Sequence, residues 1–326
     1  MRIFACCNWG LKFLGPLLEY WRKEGHEVHY ELGYNPAQHE WSDICFVDVC
    51  DHNAQVASQN RFPGSRLAIR AIDIETWVGQ PGGVNWENVD VLIFGAKHIE
   101  ELVRSYVNFP EKLAIKHIPF GIDPTKWTFK ERNGRGQNIA CIAHRWSAKG
   151  IPLLLQVMAG LKKERWKLHI LGTRSTEAWL HKYIEHIIRE LGLDVSFTET
   201  VPNVDEWLED KDYLVVSSQK EAFSYAAAEA ALKGIKPCIH NFWGARAIWP
   251  DSWIWSTIQE CINMIKAEEY NSRFYRQFVS ETYSMEKMMR SLNEVCGVVH
   301  LHRRVSLGGS SRTDLAEANK RDMDKL

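Results

Sequence analysis

The chain has 326 residues, which at about 150 residues per domain predicts two domains. Hydrophobic residues make up 45% of the sequence and charged residues 25%, and this ordinary mixture excludes a disordered or collagen-like protein. The 40 Lys and Arg side chains nearly balance the 41 Asp and Glu side chains, so net charge alone gives no affinity for nucleic acid or an anionic membrane.

Short apolar runs alternate with amphipathic segments of helical length, a pattern typical of parallel sheets covered by helices. In chain order, the first set predicts strands at 3–7, 27–31, 44–49, 67–72, 89–94 and 113–117, with helices at 11–23 and 99–106. The second set predicts strands at 138–143, 167–171, 195–198, 213–216 and 236–239, with helices at 151–162 and 225–233, and a helical region from 258 onwards. The sequence therefore predicts an α/β protein with two doubly wound domains.

Two prolines and two glycine-containing turns mark a junction after the first set of elements. We expect a first Rossmann-like domain at 1–120, a linker at 121–137 and a second Rossmann-like domain at 138–283. A long helix at 284–302 and a polar tail at 303–326 would follow.

The cysteines and the N-terminal residues indicate in which cellular compartment the protein resides. None of the eight cysteines forms a Cys-x-x-Cys pair and most lie in apolar runs, as in a reduced cytosolic protein. The first residues have no signal-peptide pattern, and no apolar stretch reaches the roughly 18 residues of a membrane span. We expect a cytoplasmic protein without a transmembrane segment.

The 14 tryptophans are an unusual number. Tryptophan packs cores and also stacks on sugars and bases. Both roles stay open for the tryptophans in or beside predicted loops at strand ends, which are Trp9, Trp77, Trp86, Trp146 and Trp243.

Two loops of the second set follow strands and lead into helices, where open parallel sheets bind ligands. In the loop at 143–150, Ser147 is a candidate N-cap, and Arg145 and Lys149 could clamp a diphosphate at a helix N-terminus. A solvated basic turn is the alternative interpretation.

The second loop, at 217–224, leads into an alanine-rich helix that can pack close to its neighbours. Glu221 and Glu229 are eight residues apart, so they could grip different parts of one elongated ligand. Two ordinary helix glutamates, one of them favouring the helix dipole, are the alternative.

Five motifs of the second half occur in a recognisable order. They are IPFGID at 118–123, IACIAHRWSAKG at 139–150, LHILGT at 168–173, SSQKEAFSYAAAE at 217–229 with Gly234 and Pro237, and NFWGA at 241–245. This series resembles the IPNGID stretch, the phosphate loop, the L-x-I-x-G strand, the E-x7-E segment and the Gly-Gly loop of GT-B glycosyltransferases, most closely those of family 4. The run at 280–295 is similar to that family's helix that crosses back to the first domain.

This resemblance implies a GT-B fold, with two Rossmann-like domains facing across a cleft. It also implies a retaining hexosyl- or pentosyltransferase that uses a UDP- or GDP-sugar as co-substrate and requires no metal or other cofactor. Two alternatives are an epimerase or hydrolase of nucleotide sugars on the same scaffold, and a non-catalytic nucleotide-sugar-binding protein.

The resemblance also assigns roles along the donor. Glu221 would contact the hydroxyls of the donor sugar, and Glu229 those of the ribose. Gly172 ends the strand beside the donor, and the segment 199–202, with Val201, would meet the nucleotide base.

The diphosphate would be neutralised by Arg145 and Lys149, with the backbone N–H groups of Phe223 and Ser224 assisting. The family spaces its arginine and lysine five positions apart, whereas Arg145 and Lys149 are four apart. His144 stands at the five-position spacing, so His144 and Arg145 are alternative phosphate contacts.

In the first half, the loop containing Gly10 follows the first strand, where the family has a glycine loop that could admit donor phosphates or acceptor. The family often has a histidine after the fourth strand, and here that region contains none. Asp73 and His52 are the alternative candidates for a catalytic group from this domain.

The acceptor could be a glycan, a small molecule or a modified nucleic-acid base. The last would use a local basic patch formed by Arg61, Arg66 and Arg70. We expect a monomer or a weak homodimer.

Overall fold

The computed structural model describes residues 1–134 and 136–297, apart from the side chains of Lys12 and Phe13. The predicted tail at 303–326 and the end of the predicted helix at 284–302 lie outside these residues. The first domain contains the strands β1 (Arg2–Cys6), β2 (Glu27–Glu31), β3 (Ile44–Asp48), β4 (Arg66–Ala71), β5 (Val91–Phe94) and β6 (Ala114–His117), and the helices α1 (Leu11–Lys23), α2 (Pro36–Trp41), α3 (His52–Ala57), α4 (Ile74–Trp77) and α5 (Lys97–Arg104).

The second domain contains the strands β7 (Asn138–Ile142), β8 (Lys167–Leu171), β9 (Val195–Thr198), β10 (Tyr213–Val216), β11 (Lys236–His240) and β12 (Ile254–Trp255). Its helices are α6 (Ile151–Leu161), α7 (Ala178–Leu191), α8 (Val204–Trp207), α9 (Tyr225–Leu232), α10 (Ala245–Ile248), α11 (Ile258–Lys266) and α12 (Ser272–Thr282), and α13 (Met285–Cys296) follows them.

Each domain is built on a parallel sheet of six described strands. The strand orders are β2-β1-β3-β4-β5-β6 and β12-β11-β10-β7-β8-β9. The order in which the chain adds strands to the sheet therefore reverses between β1 and β3 in the first domain and between β7 and β10 in the second, although all strands stay parallel. Ligands of such sheets bind beyond the carboxyl ends of the strands at this reversal. The prediction of two doubly wound Rossmann-like domains is confirmed.

The strands form where the sequence is apolar without interruption, because helices cover both faces of a parallel sheet. Strand β3 is buried at every position, and so is β10. Helix α9 buries four alanines, which have the highest helix propensity and allow close packing on the neighbouring strands. The sequence pattern did not predict α2, α3 or α7, although α7 buries Leu180 and Ile184 with helical spacing.

Helix α13 packs on the first domain, although it follows the second. Met288, Met289 and Leu292 share a buried cluster with residues of β1 and α1. The buried Trp21 Nε1 donates a hydrogen bond of 2.8 Å to Asn293 Oδ1. The end of the chain that the structure describes thus ties the second domain back to the first.

Within residues 1–134 and 136–297, the chain crosses between the domains twice, and the two crossings touch. Ile122 N donates to Tyr283 O at 2.8 Å, and Met285 N donates to Ile122 O at 3.0 Å. A Cβ on Gly121 would lie 2.8 Å from Met285 Cα, so only glycine allows this approach.

All eight cysteines are buried with free thiols. Burial raises the pKa of Cys7 to about 11, and the nearby Asp48 carboxylate adds to the rise. Among the described helices, none combines the length and the apolar character needed to cross a bilayer. A cytoplasmic location stays a prediction.

Candidate functional site

Two adjoining cavities lie at the carboxyl ends of the two sheets. The second-domain cavity, of about 370 Å³, is formed by the loops after β7, β8, β9 and β10 and by helix α9. The inter-domain cavity, of about 200 Å³, lies between the loops after β1, β3 and β4 and the loop before α9. Glu221, Ser224 and Tyr225 line both cavities, so a ligand could extend from one into the other.

Two glycines let the loops of the second-domain cavity approach one another. Gly150 has φ +63°, and a Cβ on it would lie 2.1 Å from Ser217 O. A Cβ on Gly172 would lie 2.1 Å from Ala143 O. Real Cβ atoms do not come that close to backbone oxygen, so any other residue would push the strand ends apart.

Gly172→Ala is therefore expected to lower the free energy of unfolding by about 1–3 kcal/mol, the usual cost of overpacking, and to impair ligand binding in the second-domain cavity. Thermal unfolding with and without UDP measures both effects. Gly33→Ala is the matched control because a Cβ on Gly33 has open space around it. Equal melting temperatures for the two variants would contradict the steric argument.

Lys149 and Glu221 form an ion pair inside the second-domain cavity. Lys149 Nζ lies 2.5 Å from Glu221 Oε1, and both side chains are largely buried. The loop that carries Lys149 is held by Ser217, whose hydroxyl donates to Lys149 O at 2.9 Å. The pair places a positive and a negative group side by side in this cavity.

Of the alternative phosphate contacts, His144 lines the second-domain cavity, and Arg145 is not among the described residues that line it. Arg145 N donates to Thr173 O at 3.0 Å, and its guanidinium lies over the Phe197 ring and 3.4 Å from Glu199. Burial lowers the pKa of this guanidinium. The structure therefore places His144, and not Arg145, at the cavity, and a phosphate contact of His144 stays a prediction.

His144 is exposed at the mouth of the cavity. Its Nδ1 lies 2.7 Å from Thr173 Oγ1, and its ring stacks on Trp146 with centroids 5.2 Å apart. The expected N-cap at Ser147 is wrong, because helix α6 begins after Gly150 and makes no side-chain cap.

Helix α9 directs its N-terminus at the point where the two cavities meet. Ser224, just before the helix, has φ +81°, a conformation that side chains other than glycine rarely adopt. Phe223 is buried against Phe120, Trp249 and Tyr283, with ring centroids 4.9–5.8 Å apart. This aromatic packing holds the turn before α9, so Ser224 and Tyr225 line both cavities in advance of a ligand.

Glu229, one turn into α9, lines the second-domain cavity and not the inter-domain cavity. Val201 lines the same cavity, together with Glu199 and Gly172. The structure thus brings Glu229, Val201 and Gly172 together on one cavity, and their contacts to ribose and base stay predictions.

Asp73 stands in the inter-domain cavity at the start of α4. It accepts a hydrogen bond of 3.1 Å from Trp77 Nε1, and Lys220 Nζ of the second domain lies 3.9 Å away. Burial raises the pKa of Asp73, and the Lys220 charge partly offsets this rise. Gly10, with φ +77°, precedes α1, and its neighbour Trp9 lines the cavity.

His52 is exposed at the start of α3 and is not among the described residues that line either cavity. Its predicted catalytic role therefore has no geometric support. The expected basic patch does not form. Arg70 is buried against Asp48, and Arg61 is paired with Asp90.

Four of the five selected tryptophans are exposed near strand ends. Trp77 and Trp243 contact each other across the two domains with centroids 6.0 Å apart. Trp86 is different: it is buried against Phe109, and its Nε1 donates to Pro81 O at 3.2 Å. Trp86 therefore packs the core.

Sequence analysis did not identify two site residues of the first domain. Asp48 ends β3 and lines the inter-domain cavity. His98, in α5, is buried, and its Nε2 donates a hydrogen bond of 2.9 Å to Glu221 O. Gly244 makes room for it, since a Cβ there would lie 2.2 Å from His98 Nδ1. His98 could have been found from its position after the fifth strand, but a histidine was expected after the fourth.

His98→Ala is expected to lower the activity of the site about tenfold, because the Glu221 loop loses a buried hydrogen bond to the first domain. Burial lowers the pKa of His98, so the neutral ring donates from Nε2 at pH 7. His98→Gln, which keeps a donor, should recover part of the rate. Steady-state rates at saturating ligand test this, and no rescue by glutamine would contradict a positioning role.

Comparison with known proteins gives a family match in the second half of the chain and structural matches over most of its length. Residues 123–249 match the family model described as Glycosyl transferases group 1. No curated protein matches the sequence. The crystal structure of HepE from Anabaena in complex with UDP is 13% identical, covering 91% of this chain and 100% of that chain, with a TM-score of 0.73.

Two further solved structures have the same architecture. Sucrose-phosphate synthase from Thermosynechococcus elongatus is 13% identical, covering 95% of this chain and 100% of that chain, with a TM-score of 0.72. A glycosyltransferase from Rickettsia africae is 11% identical, covering 90% and 97% of the two chains, with a TM-score of 0.70.

Proposed function

We propose that this protein, which has the GT-B fold and whose residues 123–249 match the Glycosyl transferases group 1 model, is a glycosyltransferase that transfers a sugar from a UDP- or GDP-sugar to an acceptor hydroxyl with retention of configuration. The predicted GT-B fold is confirmed by these comparisons, and the family match at 123–249 supports the predicted glycosyltransferase class. Membership of family 4 stays a prediction.

The position of Glu221 carries the proposal. Glu221 lines both cavities and is paired with Lys149, whereas Glu229 lines only the second-domain cavity of the two. A nucleotide sugar lying in the second-domain cavity would thus place its ribose at Glu229 and its sugar at Glu221. The acceptor would come from the inter-domain cavity.

The leaving group needs positive charge, because glycosyl transfer passes through an oxocarbenium-like transition state while charge accumulates on the departing diphosphate. Lys149 and the N-terminus of α9 at Phe223 and Ser224 would supply preorganised dipoles and charge there. His144 would add a hydrogen bond. With this set of groups, we propose transfer without a metal ion or other cofactor.

Retention is part of the proposal because of the resemblance of the second half to family 4. The shared residues Glu221 and Ser224 mark the end of the donor cavity that would hold the sugar and diphosphate. Retention requires an acceptor hydroxyl entering there to approach the sugar carbon from the side of the leaving diphosphate. Attack on that face keeps the anomeric configuration.

The donor nucleotide can be found with a thermal-shift screen of UDP, GDP, ADP and their sugars. Ligand at a hundred times its Kd stabilises the native state by about 2.7 kcal/mol, which raises the melting temperature by several degrees. We expect a shift with UDP, the nucleotide present in the HepE complexes, or with GDP. No shift with any nucleotide at millimolar concentration would contradict the proposal.

The reaction is then followed with the donor that binds. Proton NMR of the product distinguishes retention from inversion by the anomeric coupling. Incubation without acceptor is the control for an epimerase or a hydrolase, since either would release an epimerised or free sugar at the full rate.

A further inference from the structure

The wall of the inter-domain cavity that the first domain contributes is acidic. Asp48, Asp73 and Glu75 line it, Glu221 faces them from the second domain, and none of the described lining residues is Lys or Arg. Glu75 is occupied locally, because it accepts hydrogen bonds from the backbone N–H groups of Ile72 and Asp73.

Asp48 has one carboxylate oxygen without a partner. The residue is 1% exposed, and its Oδ1 accepts a hydrogen bond of 2.6 Å from Arg70 Nε. Its Oδ2 is buried and has no hydrogen-bond partner among the described residues. Buried polar atoms almost always have a partner, so an unpaired one beside a cavity indicates a ligand that donates a hydrogen bond.

The charges around this oxygen favour a neutral donor. Arg70 is 3% exposed and already compensates the Asp48 carboxylate. Lys220 lies near Asp73, and Lys149 is bound to Glu221. A phosphate or carboxylate in this cavity would meet acidic oxygens, and none of the described lining residues is a lysine or arginine that could bind it. A hydroxyl group donates to such oxygens without a charge penalty.

The remaining surface of the cavity suits a sugar ring. Trp9 is 52% exposed and lines the cavity, together with Val49 and Ile72. An aromatic face packs against the apolar face of a ring, while carboxylates receive the hydroxyls at its edge.

We propose that the acceptor is a neutral polyhydroxylated ring, a sugar or a sugar-like polyol, and that Asp48 Oδ2 accepts a hydrogen bond from one of its hydroxyls. Asp48 is then a specificity-determining residue, and Trp9 forms the apolar face of the same subsite. The inference rests on the proposed function, because it takes the inter-domain cavity as the acceptor side of that reaction.

The test measures donor consumption with a panel of matched acceptors: free monosaccharides, their methyl glycosides, and the monophosphate of each. We expect at least one neutral compound to accelerate consumption, with kcat/KM at least tenfold above that of its phosphorylated counterpart. Faster transfer to methyl glycosides than to free sugars would identify a terminal glycan residue as the acceptor, and the opposite order a free sugar. A phosphorylated acceptor used equally well, or no acceleration by any neutral compound, would overturn the inference.

Variants of Asp48 and Trp9 test whether the acceptor contacts these two residues. Asp48→Asn is expected to raise the KM for the neutral acceptor at least tenfold, with the UDP-induced thermal shift changed by less than a third. Trp9→Ala, at an exposed position, should raise the same KM even if Asp48→Asn does not fold. Asp194→Asn, at the opposite end of the second sheet, is the matched control.

The outcomes separate the two proposals. If the wild-type protein shows no thermal shift with any nucleotide and consumes no donor, the proposed function itself is wrong. Normal donor binding and turnover, with unchanged acceptor KM in both variants, would overturn only the acceptor assignment.

Discussion

Replacing Glu221 by alanine is expected to lower the rate of sugar transfer by about 10²–10³-fold, the usual effect of removing one preorganised polar contact from a reacting group. Nucleotide binding should hardly change, because Glu221 lies at the sugar end of the second-domain cavity, where it joins the inter-domain cavity. Loss of the carboxylate also releases Lys149 from its ion pair, so the lysine charge becomes fully available to the diphosphate.

This result is measured as kcat with the nucleotide sugar and as the thermal shift produced by the nucleotide alone. Glu190→Ala, at an exposed position of helix α7, is the matched control and should behave as wild type. Unchanged transfer by the Glu221 variant would contradict the proposed site, and loss of nucleotide binding in parallel with the rate would place Glu221 at the nucleotide instead.

Lys149→Ala should strongly weaken nucleotide binding, which Glu221→Ala leaves nearly unchanged. It removes a cation from the diphosphate and leaves the Glu221 carboxylate unpaired beside it, so donor affinity should fall about 10²-fold and kcat should fall as well. The double variant Lys149→Ala/Glu221→Ala should bind nucleotide better than Lys149→Ala alone, because the repulsive carboxylate is gone.

Isothermal titration with the nucleotide completes this double-mutant cycle. The control is Lys182→Ala, an exposed lysine of α7 that also pairs with a glutamate. Additive effects of the two single variants on nucleotide affinity would argue against coupling between Lys149 and Glu221 in the presence of ligand.

The strands and the two loops of the second domain could be predicted from the sequence because their signals are local. Continuous apolar runs fix strands such as β3 and β10, which are buried at every position. Glu221 and Glu229 followed from the strand, loop and alanine-rich helix around them.

The choice between His144 and Arg145 could not be made in this way. Which of two adjacent side chains faces the cavity depends on the bond from Arg145 N to Thr173 O and on packing against Phe197, both far away in the sequence. The spacing to Lys149 gave only two alternatives.

Asp48 and His98 show a second limit. In the sequence, Asp48 looks like the polar end of a buried strand. Only the structure shows that Arg70 on the next strand binds Oδ1 and leaves Oδ2 without a hydrogen bond among the described residues. His98 matters because a loop of the other domain reaches it, and contacts between domains have no local signature in either partner.

The two touching crossings, at Ile122 and at 283–285, have a mechanical consequence. Because both connections that the described residues make between the domains pass through one short parallel bridge, opening or closing of the cleft must bend the chain there. Motion is thereby restricted to rotation about this hinge, and sliding of one domain along the other is disfavoured. Residues on the two sides of the cleft that such a rotation separates would return to the same relative positions at each closure. The geometry of the reaction would thus be reproduced from one turnover to the next.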